Sequence, residues 1–123
     1  MIPQGVTSIG KWAFQNCSSL TNVVIPDGVT SIGNSTFSGC SSLTSVIIPD
    51  GVTSIDDYAF YDCNNLTSFT CLATNPPALG IGAFYGMNGI IYVPIYVPAA
   101  SVDAYKAADD WKDYASQIQA ISE

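Results

Sequence analysis

Apolar residues recur in the same order three times along the chain, with a period of 23 residues. The copies are Pro3–Ile25, Pro26–Ile48 and Pro49–Cys71, and the first two are identical at 15 of 23 positions. A fixed period of this length predicts a solenoid in which each unit forms one coil. A unit this short cannot bury its own apolar side, so the coils must stack on one another.

Each unit carries the same local patterns. The Pro-x-Gly step at 26–28 predicts a turn, because Pro presets φ and Gly accepts positive φ. The β-branched run at 29–32 predicts a short strand, and the alternation at 46–48 predicts a second one. Phe37 and Cys40 stand three residues apart, which suits one helical or 3₁₀ turn that faces inward.

Stacking predicts inward columns of equivalent residues, with parallel strands about 4.8 Å apart forming one curved sheet. Within each column the residue type is the same, and every column is apolar except one of cysteines. The columns are Ile25/Ile48, Val6/Val29/Val52, Ile9/Ile32/Ile55, Phe14/Phe37/Phe60, Cys17/Cys40/Cys63 and Leu20/Leu43/Leu66. The first coil would leave part of each column open. We therefore expect either a fragment of a longer array or self-association through this uncapped coil.

The pattern changes after Cys71. Residues 72–98 form a degenerate fourth unit in which Asn75-Pro76-Pro77 should abolish the short strand, while Met87 and Ile90 keep the inward face apolar. Residues 99–123 are predicted to be a helical C-terminal cap that covers the last coil, so the solenoid itself is 1–98. Ser101 is the expected N-cap, and Asp109 or Asp110 is expected to restart a second helix. The residues that recur at helical spacing are Val102, Tyr105, Ala108, Trp111, Ala115, Ile118 and Ile121.

A doubled tetrapeptide, Ile-Tyr-Val-Pro, lies between these two parts, at 91–94 and again at 95–98. A slip of four residues keeps each side chain on its own face of a strand, so either copy could complete the sheet. We expect residues 90–93 to pair with residues 67–70. Residues 95–97 would then run on as an edge or connector, where the missing N–H of Pro matters least.

Charge and composition restrict the function. The net charge is −7, with three Lys or Arg and no His. Nucleic acid binding needs clustered cations, so we expect none, and Pro, Gly, Ser and Asp interrupt every apolar run that might insert into a membrane. The lack of His removes the usual general base, so we predict neither enzymatic activity nor a cofactor. The chain starts without the basic and apolar stretches of a signal peptide.

Two sets of side chains invite a metal or disulfide interpretation. The stacked cysteines point their Cβ atoms in parallel, which is poor disulfide geometry, so we expect four free thiols that pack as small apolar groups. The acidic residues are expected at solvated turns, since Ca²⁺ needs six to eight converging oxygens and no known loop pattern is present. These acidic residues are Asp27, Asp50, Asp56, Asp57 and Asp62.

The motifs Leu-x-x-Val-x-Ile-Pro, Ser-Ile-Gly and Ala-Phe-x-x-Cys together resemble the BspA-like leucine-rich repeats of bacterial surface proteins. The similarity is tight from Ile2 to about Cys71, and residues 101–121 are similar to the C-terminal cap of such proteins. The resemblance implies a right-handed leucine-rich-repeat superhelix with a parallel sheet on its concave face. It also implies a surface-displayed or secreted bacterial protein, and several members of the family act as adhesins toward host matrix proteins.

The outward rows of the predicted concave sheet are the candidate binding surface, for a protein partner that the sequence does not identify. They are small, uncharged and partly apolar, and comprise Thr21, Asn22, Val24, Thr44, Ser45, Ile47, Thr67, Ser68, Thr70 and Tyr92. Two alternatives stay open. One is a structural spacer with no ligand. The other is a carbohydrate-binding module, for which the available aromatic residues are Trp12, Tyr58, Tyr61, Tyr92 and Tyr96.

Overall fold

The computed structural model describes residues 5–84 and 93–121, and each 23-residue unit within them forms one coil of a solenoid. Each coil contributes one short and one longer strand. The short strands are β1 (Ser8–Ile9), β3 (Ser31–Ile32), β5 (Ser54–Ile55) and β7 (Ala78–Leu79). The longer strands are β2 (Asn22–Val24), β4 (Ser45–Ile48), β6 (Ser68–Cys71) and β8 (Ile95–Val97).

Two parallel sheets run along the solenoid. The short sheet has the strand order β1-β3-β5-β7, and the main sheet has the order β2-β4-β6-β8-β9, where β9 is Ile118–Ala120. The register follows the repeat, since Val23, Val46 and Phe69 are paired in one row. An extra ladder joins the Phe-x-x-Cys turns, where the N–H groups of Phe14 and Phe37 donate to the carbonyls of Thr36 and Ala59 at 2.8 Å. Together these ladders satisfy the backbone of each turn with the backbone of the next coil.

The predicted inward columns form the core. Phe37 packs between Phe14 and Phe60, with ring centroids 5.3 and 5.4 Å apart and the rings nearly parallel. The thiols of Cys40 and Cys63 donate to the carbonyls of Phe14 and Phe37, one coil back. All four cysteines are free. In the first coil the column residues Val6, Phe14, Cys17 and Leu20 are only partly buried, whereas Ile9 is buried.

Two positions of the Phe-x-x-Cys turn have left-handed backbone in successive coils. Asn16, Gly39 and Asp62 occupy one of them, with φ of 60°, 77° and 60°. Asn, Gly and Asp are the residues that tolerate this conformation. The other position holds Trp12, Ser35, Tyr58 and Gly82, with φ of 61°, 55°, 57° and 68°. Left-handed backbone costs a residue with a Cβ about 1–2 kcal/mol, so Trp12 and Tyr58 are held there against their preference.

The short strand of the fourth coil was expected to be lost, and this prediction is wrong. β7 pairs with β5 through Ser54 with Ala78 and Ile55 with Leu79. These pairs are 24 residues apart, so the fourth coil contains one residue more than the 23-residue period, and that residue lies before Ala78. Pro77 occupies the repeat position at which the N–H groups of Thr30 and Thr53 donate to the preceding coil, and the Ala78 N–H replaces that donor by bonding to the Thr53 carbonyl at 3.0 Å. Met87 and Ile90 lie outside the described residues.

The predicted strand completion was also wrong, because the second Ile-Tyr-Val-Pro copy pairs with β6. Phe69 is opposite Ile95 and Thr70 is opposite Tyr96, and β8 pairs with β9 on its other side, so β8 is no edge. Pro94 lies just before β8, where its carbonyl accepts the Phe69 N–H at 3.1 Å and its missing donor costs nothing.

The cap is less helical than its residue spacing predicted. It contains a 3₁₀ turn at Ala99–Ser101, the helix α1 at Val102–Ala107, and a 3₁₀ helix at Lys112–Gln117 that leads into β9. Ser101 makes no capping bond and instead donates from its hydroxyl to the Thr74 carbonyl at 2.8 Å. Neither Asp109 nor Asp110 caps the second helix, whose N-cap is Trp111, and the Asp110 carboxylate instead accepts the Leu79 N–H at 3.1 Å.

Buried aromatic side chains attach the cap to the fourth coil. The Tyr105 hydroxyl donates to the Ala73 carbonyl at 2.6 Å and lies 3.2 Å from Cys71 Sγ. The Trp111 indole N–H donates to the Pro77 carbonyl at 2.8 Å, and both aromatic residues are fully buried. The cap thus covers the open end of the last coil while satisfying its buried carbonyls.

Candidate protein-docking surface

The outward side of the main sheet carries two rows of paired side chains. Asn22, Ser45 and Ser68 form the first row, which is small and polar. Val24, Ile47 and Thr70 form the second row, which Tyr96 extends in β8. Outward side chains alternate with the buried Val46 and Ile48, as the pleat of a strand requires. The structure therefore brings six of the predicted site residues together on one surface.

The three predicted threonines differ from these rows in position and bonding. Thr21, Thr44 and Thr67 directly precede the strands of the main sheet. The hydroxyls of Thr44 and Thr67 each donate to the carbonyl of the preceding threonine at 3.0 Å. Their donors are thus used to bind neighbouring coils together. Tyr92 lies outside the described residues, and the tyrosine that the structure places in the second row is Tyr96.

The second row is the most apolar exposed part of the sheet. Val24 is 67% exposed and Ile47 is 54% exposed, and the two are directly paired on neighbouring strands. A groove of about 190 Å³ adjoins them, lined by Val23, Val24, Ile25, Asp27, Ile47, Pro49 and Leu72. Asp27 is the only ionisable residue of this lining, so the groove is apolar with one acidic border. Sequence reasoning found the two rows but missed Leu72 and the groove, because their juxtaposition depends on how the chain leaves β6.

The acidic residues of the third unit bind backbone. Asp57 accepts the N–H of Ile81 from the next coil at 2.9 Å, and Asp56 accepts the N–H of Asp57 at 2.8 Å. Across residues 5–84 and 93–121, no three His, Cys, Asp or Glu side chains converge as metal ligands would. None of the helices in those ranges has the length and hydrophobicity that crossing a membrane requires.

The thiols are protonated and inaccessible in the coils where they are buried. Burial raises the pKa of Cys40 to about 11 and that of Cys63 to about 12. Burial also raises the pKa of Cys71, against the lowering effect of its contact with the Tyr105 hydroxyl. A nucleophilic or metal-binding cysteine needs the thiolate, so this column acts as core packing.

The first coil, in which most column residues are only partly buried, is compatible with self-association, which stays a prediction.

Known proteins place the repeat in a family. A family model described as "BspA type Leucine rich repeat region" matches residues 1–105 in six copies. The crystal structure of a leucine-rich repeat protein from Bacteroides ovatus ATCC 8483 is similar to this chain, with a TM-score of 0.67 and 28% sequence identity. The similarity covers 96% of this chain and 29% of the B. ovatus chain. No curated protein matches. The repeat, its two parallel sheets and the family match agree, and the chain belongs to the BspA-type leucine-rich repeat family.

Proposed function

We propose that this chain is a non-catalytic protein-docking module of a secreted or surface-displayed bacterial protein. The docking surface is the second outward row of the main sheet with the groove beside it. The observation that carries the proposal is the exposed pair Val24 and Ile47, which lie side by side in solvent. Complete burial of one such side chain contributes about 1.5–3 kcal/mol, so a partner that covers both gains a large part of a binding energy.

Charge narrows the chemistry of the partner. The chain carries ten acidic residues against three basic ones, and Asp27 borders the groove. A partner with an apolar side chain for the groove and Lys or Arg around it would match both features. Host matrix proteins are the partner class that the family resemblance implies. The competing proposal is a structural spacer, which requires no contact with this row.

Surface plasmon resonance against immobilised fibronectin, laminin and collagen would test the proposal. We expect the wild-type chain to bind at least one of them and Ile47→Lys, alone or with Thr70→Lys, to weaken that binding more than tenfold. Thermal stability should stay unchanged, because Ile47 is exposed on the sheet surface.

Ile81→Lys is the matched control. Ile81 is 69% exposed and lies in the turn of the fourth coil, away from both outward rows, so this variant should bind as the wild type does. Equal binding by Ile47→Lys and Ile81→Lys would refute docking on this row. A wild-type chain that binds none of the three proteins would favour the spacer.

A further inference from the structure

A second surface lies on the Phe-x-x-Cys turns, where Trp12 and Tyr58 have left-handed backbone. Trp12 is 53% exposed and Tyr58 is 40% exposed, so neither ring gains the packing energy of the core. Ser35 and Gly82 occupy the same repeat position with the same sign of φ, which shows that a small residue is sufficient for the fold. Strained backbone is common at functional sites, and here it holds two large, partly exposed aromatic rings on the surface.

These rings flank a floor of small polar residues. The backbone N–H of Trp12 donates to the backbone carbonyl of Asn34, and that of Ser35 donates to the backbone carbonyl of Asp57, both at 2.9 Å. Three coils therefore lie side by side in register. Trp12 and Tyr58 are two coils apart, or about 9.6 Å at the usual spacing of hydrogen-bonded strands. Ser35, between them, is only 8% exposed.

The neighbouring repeat position completes this cleft. Ser38 is 8% exposed and belongs to the middle coil, and Tyr61 is its equivalent in the third coil. The Tyr61 ring packs edge-on against Tyr58, with centroids 5.8 Å apart and planes at 86°. Two nearly buried serines therefore lie between an indole on one side and a pair of phenols on the other, and the Ser35 hydroxyl donates to the Asn34 side-chain oxygen at 2.8 Å. We call this set of residues (Trp12, Ser35, Ser38, Tyr58 and Tyr61) the aromatic cleft.

We infer that the aromatic cleft binds a neutral oligosaccharide. A pyranose ring has an apolar C–H face that packs on an aromatic ring, and it has hydroxyls that bond to the hydroxyls of exposed tyrosines. The one nearby cation, Lys11, lies 4.5 Å from the Trp12 ring centroid and stacks on it. With a net charge of −7, the chain disfavours an anionic ligand. This site is separate from the proposed docking row.

Fluorescence can report on the cleft directly, because Trp12 is exposed whereas Trp111 is fully buried. The probes are cellohexaose, xylohexaose, maltohexaose and chitohexaose, with oligogalacturonate and decaproline as ligands of other classes. We expect at least one neutral hexasaccharide to shift Trp12 emission to shorter wavelength and to protect it from acrylamide quenching. Calorimetry should then show that Trp12→Asn and Tyr58→Asn each weaken binding about tenfold, the scale of one aromatic contact.

The choice of asparagine keeps the test independent of folding. Asn adopts left-handed backbone readily, so both variants should melt at or above the wild-type temperature. Ile47→Lys, on the main sheet, should bind the sugar as the wild type does, which separates this site from the docking row. Failure of every neutral sugar to bind, or undiminished binding by the doubly substituted Trp12→Asn/Tyr58→Asn chain, would overturn the inference. Binding of decaproline or oligogalacturonate without any neutral sugar would overturn it as well.

Discussion

The stacked phenylalanines allow a stability prediction with an internal control. Phe37 is fully buried and stacks on a ring in the coil on either side, at 5.3 and 5.4 Å. Phe14 occupies the same repeat position in the first coil, where it is only partly buried and, among residues 5–84 and 93–121, stacks on Phe37 alone. Alanine at these two positions removes the same atoms from different environments.

The two substitutions should differ by about 1.5–4 kcal/mol. Phe37→Ala removes a fully packed ring and leaves a cavity, at a cost of about 3–5 kcal/mol. Phe14→Ala forfeits roughly half of the burial energy of a phenylalanine, or about 1–1.5 kcal/mol. Since domains are stable by only about 5–15 kcal/mol, Phe37→Ala should approach the unfolding threshold at 25 °C.

Urea unfolding followed by far-ultraviolet circular dichroism and by Trp111 fluorescence would measure both values. Trp111 reports on the capped end of the solenoid, so loss of the first coil alone would leave its transition in place. Equal losses of free energy for the two alanine variants would refute the argument that burial and two-sided stacking determine the cost. So would a Phe37→Ala loss below about 2 kcal/mol, which lies outside the range for a packed ring.

Three further predictions concern the buried tyrosine and the cysteines. Tyr105→Phe leaves the buried Ala73 carbonyl without its 2.6 Å partner and should cost about 1–3 kcal/mol in the same urea assay, so an unchanged midpoint would contradict this contact. Under native conditions a thiol reagent should react with Cys17, which is half-buried, whereas four thiols should react in denaturant. Because burial raises the pKa of Cys40 to about 11 and of Cys63 to about 12, these thiols stay protonated in the fold while unfolded thiols ionise near 9.0. The free energy of unfolding should therefore fall as pH rises above about 9, by up to about 1.4 kcal/mol per pH unit for each thiol. Cys63→Ala should reduce that slope, and a stability that is constant up to pH 10.5 would show that the thiols are not held protonated.

The repeat made most of the fold predictable. Because each unit repeats after 23 residues, the register of one coil on the next follows directly from the sequence, and so do the inward columns. The outward rows of the main sheet follow from the same register and from the alternation of a strand. The groove beside Ile47 does not, because Leu72 reaches it through the path of one loop.

The cap shows where periodicity misleads. Tyr105, Trp111 and Ile118 recur at helical spacing, yet only Val102–Ala107 is α-helical and Ile118 lies in a strand. 3₁₀ turns also bring every third residue to one side, so the spacing does not distinguish them from an α-helix. The N–H and C=O groups of β8 need partners on their open side, and β9 supplies them.

By itself the sequence determined the solenoid, the identity of its core columns and the outward rows of its main sheet, because the 23-residue period leaves one way to stack the coils. Only the tertiary structure decided which Ile-Tyr-Val-Pro copy completes the sheet. Both copies have the same alternation, but the second lies where both its edges find partners, β6 and β9. Only the tertiary structure placed Trp12 and Tyr58 in left-handed backbone on either side of Ser35. That arrangement depends on the hydrogen bonds between coils, which no single repeat contains.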